Sequence, residues 1–468
     1  MKQYTTDFTK GPITPALIRF ATPLFLASLL QVFYGTVDMI IVGQALGKVG
    51  LSAVAVGGDI TTLLAFVAIG FSAAGQVIIS QILGEGRRDK LSAFIGTMCT
   101  ALVVAAAVFS VVGFVLSDWL LTLMNTPEEA YTEALGYATV CIFGLVFIYG
   151  YNAMSAILRG MGDSKHPFIF IAISSVINIV LDLILVLGFN GGAIGAAIAT
   201  VFSQAISLVL CAAFVYRNRD KYGLDFRASD FLIRLEHLVR LVKLGVPMAI
   251  KFAAIHFSRL FVNSHINSYG VTISAFAAVA NQINSISNLI SNGFNTAGSS
   301  MVAQNIGARK YSRVPQILYT VGGITCTIAT ILTVVTLISP DFVFGIFTSD
   351  HDVIEVGYTY LPVAVLIFFG SALRAIANAL INGSGHTLIN FATAILDGLV
   401  LRIGFSLLFG IAMEMGALGF WLGDALAGLT PFVIGIVFYL SGSWRKNSRP
   451  SPDSDDEPYE AEAALPPQ

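Results

Sequence analysis

Twelve apolar runs, most of at least the roughly 20 residues that a helix needs to cross a membrane, fill the chain between residues 15 and 440. Their limits fall near 15–44, 51–82, 93–116, 132–158, 168–188 and 193–216, then 240–268, 272–305, 316–339, 353–381, 388–411 and 417–440. In hydrocarbon every backbone N–H and C=O must bond within the protein, so runs of this length are read as helices. The composition agrees: 56% of residues are hydrophobic and 12% charged, against about 25% charged in soluble domains. The expected fold is an all-α polytopic membrane protein.

Several function classes drop out at this stage. A net charge of -2, without a basic run interleaved with aromatics, gives no footprint for nucleic acid. Cys99, Cys141, Cys211 and Cys326 are far apart inside apolar runs, without CxxC spacing, and read as lone buried thiols. No HExxH, phosphate loop or GxSxG is present, so no enzyme and no cofactor is expected. The first apolar run is full length and lacks a small-residue cleavage site, so no signal peptide is read.

Lys and Arg set the orientation. Arg87, Arg88, Lys90, Arg159, Lys165, Arg217, Arg309, Lys310, Arg313 and Arg445 share one side with both termini, as do Lys2, Lys446 and Arg449. The opposite loops hold only Lys48, and two of them, 118–133 and 341–355, are acidic. The positive-inside rule then puts both termini in the cytoplasm.

The two halves repeat. Gly70, Gly75, Gln81 and Gly84 match Gly293, Gly298, Gln304 and Gly307 at one offset. At nearly that offset Pro23 matches Pro247, and Gly160–Gly162 and Gly192–Gly195 match Gly383–Gly385 and Gly416–Gly419. A duplicated six-span unit keeps its orientation, so two six-helix lobes related by a pseudo-two-fold axis along the membrane normal are expected. The chain divides into a cytoplasmic N-terminus (1–13), an N-lobe (14–216), a charged cytoplasmic linker (217–239), a C-lobe (240–440) and a tail (441–468). The tail is polar, Pro-rich and acidic, and is expected to be disordered.

Function then rests on polar residues at membrane depth. Asn178 and Asp182 are four apart, on one helix face, in span 5. Counting about 1.5 Å per residue, Asp38, Asp182 and Thr200 reach one level, roughly 10 Å below the outer surface. Two carboxylates at one level either share a proton or ionise around a cation; the bland alternative is that they only bond neighbouring helices. Pro23 and Pro247 remove a helix hydrogen bond at matched places and mark hinges. Asn281, Asn284, Asn288, Asn292 and Asn295 form a stripe on span 8, either interhelical glue or a substrate wall. With Tyr34 they make the candidate substrate cavity. Lys251, Arg259, Arg374, Arg402, Asp397 and Asp424 also lie at depth, and Arg402 is expected to pair with Asp397 or Asp424. The residues aligned with Asn178 and Asp182 at the common offset, Leu401 and Phe405, are apolar.

These residues resemble a known family. Thr36-Val-Asp38-Met-Ile-Ile-Val-Gly43 with Leu51-Ser-Ala-Val-Ala-Val-Gly57 is similar to the start of a multidrug and toxic compound extrusion (MATE) transporter. So are Gly75–Gly84, Leu158–Pro167, Asn178–Asp182 with Gly192–Thr200, and the echoes Ala303–Ala308 and Asn382–Gly385. The DinF-like prokaryotic branch is the most similar. The resemblance implies a twelve-helix fold in a bacterial inner membrane, exporting amphipathic, often cationic organic compounds in exchange for protons or sodium ions. Transport would follow a rocker-switch, carried out by a monomer in the bilayer. It also implies a coupling-ion site of Asp38, Asn178, Asp182 and Thr200, with Asn152 added from span 4; a sodium ion would be ligated by Asp38 and Asp182. The segment Lys251–Arg259 lacks the carboxylate that some branches carry after the span 7 proline. The alternative cargo is a lipid-linked saccharide, flipped with the second-half arginines on its phosphate. A major-facilitator transporter, also built of parallel halves, normally has an acidic residue where Gln81–Gly84 has none.

Overall fold

A computed structural model describes residues 5–445, which are almost entirely helical. The expected tail therefore lies outside the described residues from residue 446 onward, as do Lys2, Lys446 and Arg449. The helix Ile13–Gly84 breaks at Gly47 (φ 62°, ψ -152°) into α1 (13–46) and α2 (48–84). That backbone conformation is open to glycine and costly for other residues, so a single residue turns the chain. There follow α3 (Leu91–Leu123), α4 (Glu128–Phe143 and Leu145–Gly160, bent by 47°), α5 (Lys165–Gly188) and α6 (Gly192–Arg217). The second half supplies α7 (Leu235–Asn267), α8 (Val271–Gly307), α9 (Arg313–Ile338), α10 (His351–Ser384), α11 (Thr387–Ala412) and α12 (Gly416–Leu440).

Eight helices are long and apolar enough to span a membrane on composition alone, and the bent α4 makes a ninth. Two spans share Ile13–Gly84, and α7 and α8 make up the rest of the twelve. The twelve expected helices are all present, in two lobes.

The repeat is written into the backbone. Gly162 and Gly385 have φ values of 83° and 72°, at an offset of 223 residues; Gly192 and Gly416 have 61° and 59°, at 224. Between them α11 has a π-turn, Leu396–Val400, that α5 lacks, while the π-turns Leu183–Gly188 and Leu408–Ala412 correspond. A π-bulge is one residue inserted into a helix, and it accounts for the shift. It also corrects the alignment with Leu401 and Phe405: past the bulge, Asn178 corresponds to Arg402, Asp182 to Ser406 and Thr200 to Asp424.

The lobes meet on the face that carries both ends of the described chain. A Cβ on Gly84 would overlap the backbone oxygen of Gln304, and one on Gly307 that of Gln81, the mirrored contact. Glycine at both places lets α2 and α8 touch backbone to backbone. Gln76 donates to Ser300 (2.7 Å), Gln81 to the Gly383 carbonyl (3.2 Å), and Arg240 to Gln81 (2.8 Å). The first residues clip the same face. Thr6 bonds the Met161 and Gly162 carbonyls, and the Phe8 amide bonds Gln304 of the other half. Packing crosses between halves too. Leu17, Phe20 and Leu24 of α1 join a core with Met301, Ile317 and Leu380, while Leu241, Leu244 and Met248 of α7 join the α2–α4 core. Pro23 and Pro247 lie in these exchanged segments, each inside a continuous helix.

The linker is strapped down rather than loose. Tyr222 is fully buried and donates to Asp163 (2.6 Å), and Thr100 donates to the Phe231 carbonyl (2.7 Å).

Candidate functional site: an acidic pair in one lobe and a basic cluster in the other

In the first lobe α5 buries Asn178 and Asp182 at 1% and 0% exposure, one turn apart on the face turned to α1 and α6. Asp38 of α1 lies close to Asp182. Both oxygens of Asp182, one of Asp38, and both polar atoms of Asn178 are buried without a partner. A carboxylate in apolar surroundings costs several kcal/mol unless a proton, a cation or donors satisfy it. Among the described residues no basic side chain acts on either carboxyl.

Tyr34 stands near both carboxyls, and Tyr137 of α4 stands near Asp38 and Thr200. Cys141 and Thr61 extend this polar wall. The structure thus brings Asp38, Asp182 and Tyr34 together, with Asn178 one turn from Asp182 on α5 and Thr200 beside Tyr137. Asn152 stays apart, donating to the Ile148 carbonyl of its own helix (2.8 Å). Sequence reasoning missed Tyr137. Its signal was available, since Tyr137 and Tyr360 match at an offset of 223 inside apolar runs.

In the second lobe the corresponding place is filled by an ion-pair network. Arg402, 1% exposed, bonds Asp397 (2.9 Å) and Asp424, which is the pairing expected from the sequence. Arg374 approaches Asp397 (3.6 Å) and donates to the Gly428 carbonyl (3.3 Å). Lys251 donates to Asn378 (2.6 Å). A small hollow, open to solvent, lies beside this network, lined by Arg259, Asn281, Asn284, Tyr360, Trp421 and Asp424. An adjoining one is lined by Arg259, Asn284, Asn288, Arg374 and Arg402. Of the asparagine stripe, Asn281, Asn284 and Asn288 reach these hollows. Asn292 is exposed outside them, and Asn295 accepts from Ser299 (3.3 Å). Among the described residues no three His, Cys, Asp or Glu side chains gather as a metal site, and the four cysteines are free thiols.

Known proteins share this arrangement of two repeated halves. The MatE family model matches residues 23–184 and 247–408, one match per half. The chain is similar to "Probable multidrug resistance protein YpnP" of Bacillus subtilis, 30% identical over 95% of this chain and 98% of that one. It is similar to "Probable multidrug resistance protein NorM" of Thermotoga maritima, 23% identical over 96% of each. Among solved structures it superposes, with a TM-score of 0.87 and 22% identity, on a MOP superfamily transporter from Pyrococcus furiosus. The superposition covers 96% of this chain and 99% of that one. The Pyrococcus protein is described as having a binding pocket of reverse polarity, which suggests a different function for it.

Proposed function

The chain belongs to the MatE family, and on that premise we propose that it is a cation-coupled antiporter that exports amphipathic organic compounds, with its coupling-ion site in the N-lobe. It is a membrane transporter and not an enzyme. One observation carries the finer reading: Asp38 and Asp182 lie close together, with Asn178 one turn away on α5, and no basic residue among the described ones acts on either carboxyl. A proton shared by the two carboxyls, or a sodium ion between them with Asn178 and Thr200 as further oxygen ligands, satisfies the site. Asn152, tied to its own helix, contributes at most to the wall of the lobe.

Work on the substrate comes from the difference in ion affinity between two lobe arrangements. With the termini in the cytoplasm of a bacterial inner membrane, the closed face is the cytoplasmic one and the described arrangement is outward-facing. The ion enters the N-lobe from outside and favours the arrangement in which substrate leaves. Rocking about the exchanged segments of α1 and α7, at Pro23 and Pro247, then reopens the inner face. In this reading the N-lobe is 14–216, the C-lobe 240–440, and a single copy in the bilayer is the working unit. Tyr34, Asn281, Asn284, Asn288, Asn292 and Asn295 line the substrate path.

The test is dye efflux from proteoliposomes under separately imposed proton and sodium gradients. Wild type responds to at least one gradient, and Asp38→Asn and Asp182→Asn respond to neither while remaining folded and inserted. Full gradient-driven efflux in both variants would sink the mechanism. The basic cluster favours a second reading, a flippase that grips the phosphate of a lipid-linked saccharide. Under that reading Arg259→Ala and Arg374→Ala abolish lipid translocation and leave dye efflux intact.

A further inference from the structure

The second-lobe cluster holds more basic groups than its carboxylates can neutralise. Lys251, Arg259, Arg374 and Arg402 face Asp397 and Asp424, four cationic side chains against two anionic ones. Arg402 engages both carboxylates, so Asp397 is already bonded when Arg374 approaches it from 3.6 Å. Arg259 is left over. It makes no hydrogen bond or ion pair within the described residues, and its Nε is buried without a partner. Yet its side chain lines both hollows.

A guanidinium held at membrane depth with no bonded carboxylate, only the more distant charges of Asp397 and Asp424, is expensive, and one that also borders an open hollow is placed to meet a ligand. Its planar fork matches the oxygens of a carboxylate, sulfonate or phosphate. Asn284 and Asn288 border the same hollow and supply neutral amide donors. Tyr360, Ile367 and Trp421 offer apolar surface beside it. A cation would enter a field of its own sign.

We propose that the hollow between α7, α8, α10 and α12 binds the anionic head of an amphipathic compound, a phosphate, sulfonate or carboxylate, with Arg259 and Arg374 as its counter-charges. The apolar body lies against Tyr360, Ile367 and Trp421. The family resemblance led to an expectation of cationic substrates; the second lobe is built for the opposite sign. The site names the substrate class of the transport reading above, but binding to it needs no ion gradient, so the two stand or fall separately.

The probes are a dansyl-labelled alkyl phosphate and a matched dansyl-labelled alkyl trimethylammonium, titrated by anisotropy against the full chain in zwitterionic-lipid nanodiscs. The phosphate binds wild type more tightly than the ammonium does. Arg259→Gln and Arg374→Gln each weaken phosphate binding by about tenfold to hundredfold, the range expected for a charge-assisted hydrogen bond. Arg259→Lys recovers part of the loss, because the charge returns without the fork. Arg259 has no internal bond to lose, so its replacement leaves the gel-filtration profile unchanged.

Equal or tighter binding of the ammonium overturns the proposal, as does phosphate affinity that ignores both glutamine variants. So does an Arg259→Lys variant no better than Arg259→Gln. Adding phosphatidylglycerol to the nanodiscs separates two sources of the same head. Displacement of the probe supports the site and assigns it to a lipid phosphate, while undisturbed binding supports it as a site for a free amphipathic anion.

Discussion

Asn178, Asp182 and Thr200 in one lobe correspond to Arg402, Ser406 and Asp424 in the other, and Tyr137 to Tyr360, at matching places in one repeated scaffold. The first set leaves two carboxyls without a basic partner. The second encloses a guanidinium that bonds two carboxylates. The second lobe carries its counter-charge in the chain, whereas the first has none among the described residues. One duplication has thus yielded an acidic pair with no basic partner among the described residues and a basic cluster built around two carboxylates. The difference turns on an Asn-to-Arg exchange and on Asp397, which sits in the π-turn unique to the second lobe.

The comparison is broken most severely by Arg402→Leu. Removing it strands Asp397 and Asp424 in the core, with an expected loss of about 3–5 kcal/mol, visible as a fall in detergent-solubilised thermal stability. A stability within error of wild type would mean the network is not structural. Next comes the mirrored contact between lobes. Gly84→Val and Gly307→Val each force α2 and α8 apart at a backbone carbonyl, at a cost of about 1–3 kcal/mol to the closed face. Both should raise labelling of a cysteine placed at Ser300, and by similar amounts; a response from only one would deny that the contacts are equivalent.

Each lobe also pins the segment that leaves it on the turn after its fourth helix, and these two turns differ in their response to pH. Burial would raise the Asp163 carboxyl, but hydrogen bonds from His166 and Tyr222 outweigh it and hold Asp163 below the ordinary carboxylate value. That contribution is complete above about pH 4 and is lost as pH falls through the lowered value. At the matching turn, burial holds His386 below the ordinary imidazole value, beside the backbone of Ser384 and Ser443. Its neutral form stabilises the fold above about pH 6.5 and is lost as pH falls through the lowered value. Trp444, buried against Tyr311 and Tyr439, should therefore shift its fluorescence at a higher pH than the linker at Tyr222 loses protection from hydrogen exchange. The reverse order would refute the assignment.

The smallest effect belongs to Asp182→Asn. It removes an unpaired buried carboxyl, so stability changes by no more than about 1 kcal/mol, or rises. A loss as large as that of Arg402→Leu would show that Asp182 is paired after all.

The sequence by itself determined the twelve helices, the duplication and most of the acidic site. Helix length, backbone satisfaction in hydrocarbon and the matched glycines are local properties, and Asn178 and Asp182 announce themselves by polarity at depth. The partners of Arg402 were legible too, because unlike charges at one depth must meet. Only the tertiary structure decided the rest. The π-turn shifts the register by one residue and puts Arg402, not Leu401, opposite Asn178. The ends of α1 and α7 cross into each other's cores, and Phe8 and Tyr222 bury segments that read as polar connections. Of the four cations around Asp397 and Asp424, Arg259 alone makes no hydrogen bond or ion pair within the described residues. A one-residue insertion and an exchange of helix ends leave no trace in local hydropathy; they are fixed by which side chains find partners once all the helices are packed.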